Sequence, residues 1–186
     1  MSTTDTIGYT ADDLLTMPDG GRYEVVGGKL VEKHVSEDSD WISGEILSLL
    51  RNFTRVGRLG WVFGGERLFR CFPHDPTRGR KPDVSYLSAR KLPEGPTRRG
   101  ITPVPPDIAV EVVSPRDVAY DLEEKLSDYR LASVPLIWVI YPNRRTVHVS
   151  ANGSEVPSVL GEADTLTGGD VLPGFSVRVA DLFPEP

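Results

Sequence analysis

From residue 108 to residue 141 the chain reads strand, helix, strand, and this order constrains the fold more than any other feature of the sequence. Residues 108–113 (IAVEVV) are rich in β-branched side chains, and residues 136–141 (LIWVIY) form an apolar run of strand length. Between them, residues 117–132 are amphipathic at helical spacing. Two strands joined by a crossover helix lie parallel in one sheet, because a tight hairpin cannot reverse a chain that has travelled the length of a helix. At least part of the sheet is therefore parallel.

The remaining signals are those of hairpins and one long helix. Thr10-Ala-Asp-Asp13 has the spacing of a capping box and predicts a short helix over 11–16, followed by a turn at Pro18-Asp-Gly-Gly21. Residues 23–26 and 29–35 read as strands joined by Gly27-Gly28. Trp41, Ile42, Ile46, Leu49, Leu50 and Phe53 recur at helical spacing over 40–53, with Gly57 as the stop. Strands are expected at 61–63, 67–72 and 82–87. The prolines at 93, 96, 103, 105 and 106 make 88–106 mostly connection. Residues 146–150 and 156–160 close the chain as a meander. The expectation is an α/β fold over 1–186 in a single domain, with a mixed central β-sheet flanked by helices.

Composition removes several function classes. No apolar run approaches the roughly 18 residues of a membrane helix, and the first residues lack the basic start and apolar core of a signal peptide. Cys71 is the single cysteine, which excludes an internal disulfide and a cysteine zinc cluster; these features favour the cytoplasm. A net charge of −6 argues against a protein that coats nucleic acid, but not against an enzyme acting on DNA. Local basic runs at Arg78, Arg80, Lys81 and at Arg90, Lys91, Arg98, Arg99 could position a phosphate backbone or be solvated loops. His34, His74 and His148 have no ligand spacing and read as surface residues.

The chemistry is concentrated in acidic residues placed in strands. In Pro106-Asp-Ile-Ala-Val-Glu-Val-Val-Ser114, Ile108, Val110 and Val112 face one way, and Asp107, Ala109, Glu111 and Val113 the other. A central strand that is apolar on both faces cannot carry an isolated carboxylate without a cost of several kcal/mol. Glu111 therefore needs a cation, a proton or a solvent-filled cleft, or else it ends the strand in an ordinary salt bridge. Asp83 opens the strand at 82–87. Two carboxylates on neighbouring strands form a hard-oxygen site suited to magnesium or manganese. Lys125 falls on the same helical face as Val118, Leu122, Leu126 and Tyr129, opposite Glu123, Glu124, Ser127 and Arg130. It could reach back to Glu111, snorkel to solvent, or pair with Asp121 or Asp128. Two acids and a lysine are the requirements of metal-assisted phosphodiester cleavage, in which the metal acidifies water and the lysine stabilises developing charge.

These stretches resemble the Uma-two family of restriction-endonuclease-like proteins in the PD-(D/E)xK nuclease superfamily. The similarity lies in YEVVGGKLVEK at 23–33, KPDVSYLS at 81–88, PPDIAVEVVSP at 105–115, DLEEKLSDYRLASVPLIWVIYP at 121–142 and LPGFSVRVADLF at 172–183. The resemblance implies a restriction-endonuclease-like fold and a magnesium- or manganese-dependent DNA endonuclease. Asp83 and Glu111 would be the metal-binding acids. The superfamily lysine belongs two residues after the second acid, where Val113 stands; Lys125 on the following helix would supply it. Many members carry a histidine near the start of the long helix, where this chain has Asp40 or Trp41, with His34 earlier. Glu24 and Asp107 match frequent family positions, which implies for them a part in supporting the metal-binding acids or the fold. The expected partners are DNA and a divalent metal, with a homodimer open and no membrane. The rival reading is a non-catalytic nuclease-fold module that binds nucleic acid or a protein.

Overall fold

The computed structural model describes residues 8–72, 75–96 and 100–185. A six-stranded mixed sheet runs through its centre. The elements follow in chain order: β1 (Tyr23–Val26), β2 (Lys29–Glu32), α1 (Glu37–Gly57), β3 (Gly60–Gly64), β4 (Leu68–Phe69), β5 (Val84–Ser88), β6 (Ile101–Thr102), β7 (Ile108–Val112), α2 (Ala119–Leu131), β8 (Leu136–Tyr141), β9 (Thr146–Ala151), β10 (Ser158–Leu160), β11 (Thr165–Thr167) and β12 (Ser176–Arg178). The central order is β10-β9-β8-β7-β5-β3. β7 and β8 are parallel, as the crossover requires, and every other pair in this sheet is antiparallel.

The alternation read from β7 governs the packing. Ile108, Val110 and Val112 enter a core with Ile42, Ile46 and Leu50 of α1. Ala109 and Val113 turn to the other face, against Leu122, Leu126 and Tyr129 of α2. Each helix thus covers one side of the sheet. Val118 departs from the expected face: it precedes the first turn of α2 and is 54% exposed.

α1 begins earlier than the hydrophobic spacing indicates. Ser36 and Ser39 form a reciprocal capping box, so the helix starts at Glu37 before its first apolar residue. Its stop is near the expected place, with Arg58 in the left-handed region just after Gly57. At the β1–β2 turn, Gly27 and Gly28 both take positive φ, of 56° and 76°, the geometry of a tight hairpin turn that glycine adopts without strain. The capping contacts at Thr10 and Asp13 form, but they close a single 3-10 turn at Asp13–Leu15. The strand expected at 67–72 shrinks to two residues. Phe69 exchanges hydrogen bonds with Arg80, and Arg70 donates to the Thr102 carbonyl, so the segment serves as a brace. The β11–β12 hairpin has no counterpart in the sequence-based expectation; only Leu166 of β11 is buried.

Candidate active site

Glu111 stands near the end of β7 on the face covered by α2, 4% exposed. The β5–β7 register pairs Val84 with Val110, which sets Asp83 opposite Glu111 just before β5 begins. Asp83 Oδ2 accepts the Val112 N–H at 2.8 Å, fixing this carboxylate against the neighbouring strand. Both acids line one open cleft with Glu24, Lys33, His34, Asp117 and Lys125. Asp83 and Glu111 thus lie on neighbouring segments of the sheet and line the same cleft.

Lys125 reaches the site from α2. Its Nζ lies 3.1 Å from Glu111 Oε2 and 3.3 Å from Glu24 Oε1. Tyr129, one turn further along the helix, donates its hydroxyl to Glu111 Oε1 at 2.6 Å. Of the three fates open to Lys125, the structure shows the reach back to Glu111. Asp128 is occupied elsewhere, pairing with Arg78 and, at 2.7 Å, with Arg80.

Glu24, expected only as a support, is a third acid of the cleft. It projects from β1, 1% exposed, and accepts the Lys81 N–H at 2.6 Å and an Arg80 N–H at 3.2 Å. Its signal was present: a glutamate in the apolar strand YEVV poses the same burial problem as Glu111. Lys33 was missed. It follows β2 and places its ammonium 3.0 Å from Asp83 Oδ1.

The titration behaviour follows from this crowding. Burial pushes Glu111 from 4.5 up to about 7; Asp83 and Glu24 add to the rise, and Lys125 opposes it. Burial would lower Lys125, but Glu111, Glu24 and Asp83 outweigh it and hold the ammonium above its ordinary pKa. Burial would also raise Glu24, yet Lys125, Arg80 and Lys33 prevail and keep it low. The surroundings thus favour the charged form of Glu24 and the protonated form of Glu111.

Other residues fall outside this chemistry. Asp107 pairs with Lys91 at 2.9 Å and accepts the Ser88 N–H at 2.7 Å, so its role is to hold the connection before β7. Arg80 and Lys81 are 2% and 3% exposed, contrary to both readings of that basic run: they are buried supports, neither a solvated loop nor a phosphate track. His34 is exposed at the cleft, whereas His148 is partly buried against the Tyr141 ring at 4.5 Å. His74, Arg98 and Arg99 lie outside the described residues.

Among the described residues, no group of three or more His, Cys, Asp and Glu side chains is arranged as a ready metal cage. The donor set nonetheless fits magnesium, which is held by one or two carboxylates together with waters and substrate phosphates. It does not fit a structural zinc site, which needs four closed nitrogen or sulfur ligands.

The sequence of the family described as "putative restriction endonuclease", Uma2, matches residues 11–180. The chain belongs to the Uma2 family. That family supports a nuclease, and Asp83, Glu111 and Lys125 of this Uma2 protein all fall inside the matched region. A similar solved structure is that of a "putative nuclease belonging to DUF820" from Anabaena variabilis ATCC 29413. It shares 20% identity over 94% of this chain and 97% of its own, with a TM-score of 0.79. At that identity the likeness establishes the fold, which agrees with the expected nuclease-like α/β architecture. No curated protein matches the chain. Among the described residues, no helix of this Uma2 protein is long and apolar enough to cross a membrane.

Proposed function

We propose that this Uma2 protein is a magnesium-dependent endodeoxyribonuclease that uses Asp83, Glu111 and Lys125. The observation that carries the reading is the convergence of a carboxylate in β7, a carboxylate just before β5 and one helix-borne ammonium on a single open cleft, with Lys125 3.1 Å from Glu111. Asp83 and Glu111 would hold the metal; manganese suits the same oxygens. A bound divalent ion would supply Lewis-acid neutralisation of phosphate charge and a lowered pKa for an attacking water.

The chain's own groups divide the remaining tasks. Tyr129 and the Val112 N–H fix the orientation of Glu111 and Asp83, so little reorganisation is needed when substrate arrives. Lys125 stays cationic because of the carboxylates around it, which suits it to stabilise the developing phosphorane charge rather than to abstract a proton. Glu24 anchors Lys125 from the far side and is tied to the fold through Arg80 and Lys81. DNA is the substrate class that fits a restriction-endonuclease family and a fold neighbour described as a nuclease. A single buried cysteine suits a reducing compartment such as the cytoplasm.

A second reading has an observation in its favour. Lys125 already satisfies two buried carboxylates, an arrangement that would also serve a structural salt bridge in a nuclease-fold binding module, and the chain is net acidic. Incubating the purified chain with supercoiled plasmid and magnesium separates the two. Nicking that chelator abolishes supports the enzyme, and binding without cleavage supports the module.

A further inference from the structure

Lys33 is the cation of the site that neither the expected motif nor the proposed mechanism uses. It is only 12% exposed, and its ammonium has three partners: Asp83 Oδ1 at 3.0 Å, the Lys81 carbonyl at 2.8 Å and the Gly65 carbonyl at 3.3 Å. An ammonium has three protons, so two are spent on fixed backbone oxygens and the third is aimed at Asp83. Lys125 is held differently, between the two carboxylates of Glu24 and Glu111. Lys33 also sits where this cleft meets an adjoining groove of mixed charge, lined by Arg22 and Arg116 but also by Glu32, Asp40 and Glu66, so it borders both spaces.

We infer that Lys33 is an exchangeable counter-cation: it neutralises Asp83 while metal is absent, and offers its charge to a substrate phosphate at the mouth of the groove once a divalent ion takes Asp83. The inference rests on the nuclease reading. A metal approaching Asp83 meets an ammonium 3.0 Å from one of its oxygens, and the two cations repel. The two backbone carbonyls keep Lys33 in place after the exchange, leaving its third proton free for an anion. This assigns Lys33 opposite effects on the two ligands, a signature that a brace would not produce.

The test is magnesium titration by calorimetry, together with binding of a short DNA duplex in calcium, on the wild type, Lys33→Gln and Lys33→Arg. Gln keeps an N–H donor for the carbonyls and removes the charge, whereas Arg keeps the charge. Lys33→Gln is expected to bind magnesium about tenfold more tightly. Its DNA affinity should fall about tenfold, with a salt slope shallower by about one. Lys33→Arg should stay near the wild type in DNA affinity. A wild type that binds magnesium, paired with a Gln variant that binds it equally or more weakly, overturns the inference and leaves the nuclease reading standing. A wild type that binds no divalent ion overturns both. Should Lys33→Gln fail to fold, selective 15N-lysine spectra of the wild type decide: the Lys33 ammonium signal must move as magnesium is added, and a signal that stays fixed at saturation overturns the exchange.

Discussion

Lys125 and Glu111 are fourteen residues apart in sequence, yet their charged ends meet at 3.1 Å because α2 lies across the strand that precedes it. The crossover that makes β7 and β8 parallel is therefore also what brings the lysine back over the acid. The same contact gives Lys125 a structural share in the buried cluster alongside its proposed chemistry.

Replacing Lys125 by Met keeps most of the side-chain volume and removes the charge. Cleavage should slow by about 10²-fold or more, as when one transition-state donor is lost, with DNA affinity in calcium nearly intact. Glu24 retains Arg80, and Glu111 can take up a proton, so the fold should survive at pH 6 and weaken toward pH 8. Gel-based cleavage rates and thermal melts at the two pH values check both parts.

The raised pKa of Glu111 fixes the direction of a pH dependence. Its folded value of about 7 lies above the ordinary 4.5, so its contribution to stability is fully present below pH 4.5 and is lost as pH rises toward and through 7. Magnesium and the proton compete for the same carboxylate. Metal affinity should therefore climb about tenfold per pH unit below 7 and level off above it. Calorimetric titrations between pH 5.5 and 8 would show the climb, and a flat profile would mean that Glu111 is already ionised or is not a ligand.

Much of this site was legible because buried charge is conspicuous. Glu111 in IAVEVV and Lys125 among Leu122, Leu126 and Tyr129 each break an apolar pattern at a fixed period, so both announced a partner before the fold was known. Glu24 broke the pattern of YEVV in the same way, but its hairpin lies outside the central sheet and nothing local says that it folds over β7. Arg80 and Lys81 misled because a loop rich in Pro, Gly and Arg normally faces water. Here it passes between β1 and α2, where Glu24 and Asp128 neutralise Arg80. The β11–β12 hairpin was illegible for a simpler reason: three-residue strands with one buried side chain carry too little periodicity to detect.

Asp128 should prove a pillar of stability with no part in catalysis. It is 1% exposed and accepts from Arg78 and Arg80, so Asp128→Ala leaves Arg80 buried with Glu24 alone. Stability should fall by about 3 kcal/mol, measured from the urea midpoint. A loss below about 1 kcal/mol would show that water or Glu24 compensates the arginine fully.

The most direct test of the account compares plasmid cleavage by the wild type and by Glu111→Gln in magnesium, each with its magnesium affinity measured alongside. Gln keeps the shape and can still accept from Tyr129, while Lys125 retains Glu24, so the variant should melt within a few degrees of the wild type. The account predicts magnesium-dependent nicking by the wild type, and no detectable metal binding or nicking by the variant. A wild type that neither binds magnesium nor cleaves, or a variant that cleaves as well as the wild type, would contradict it.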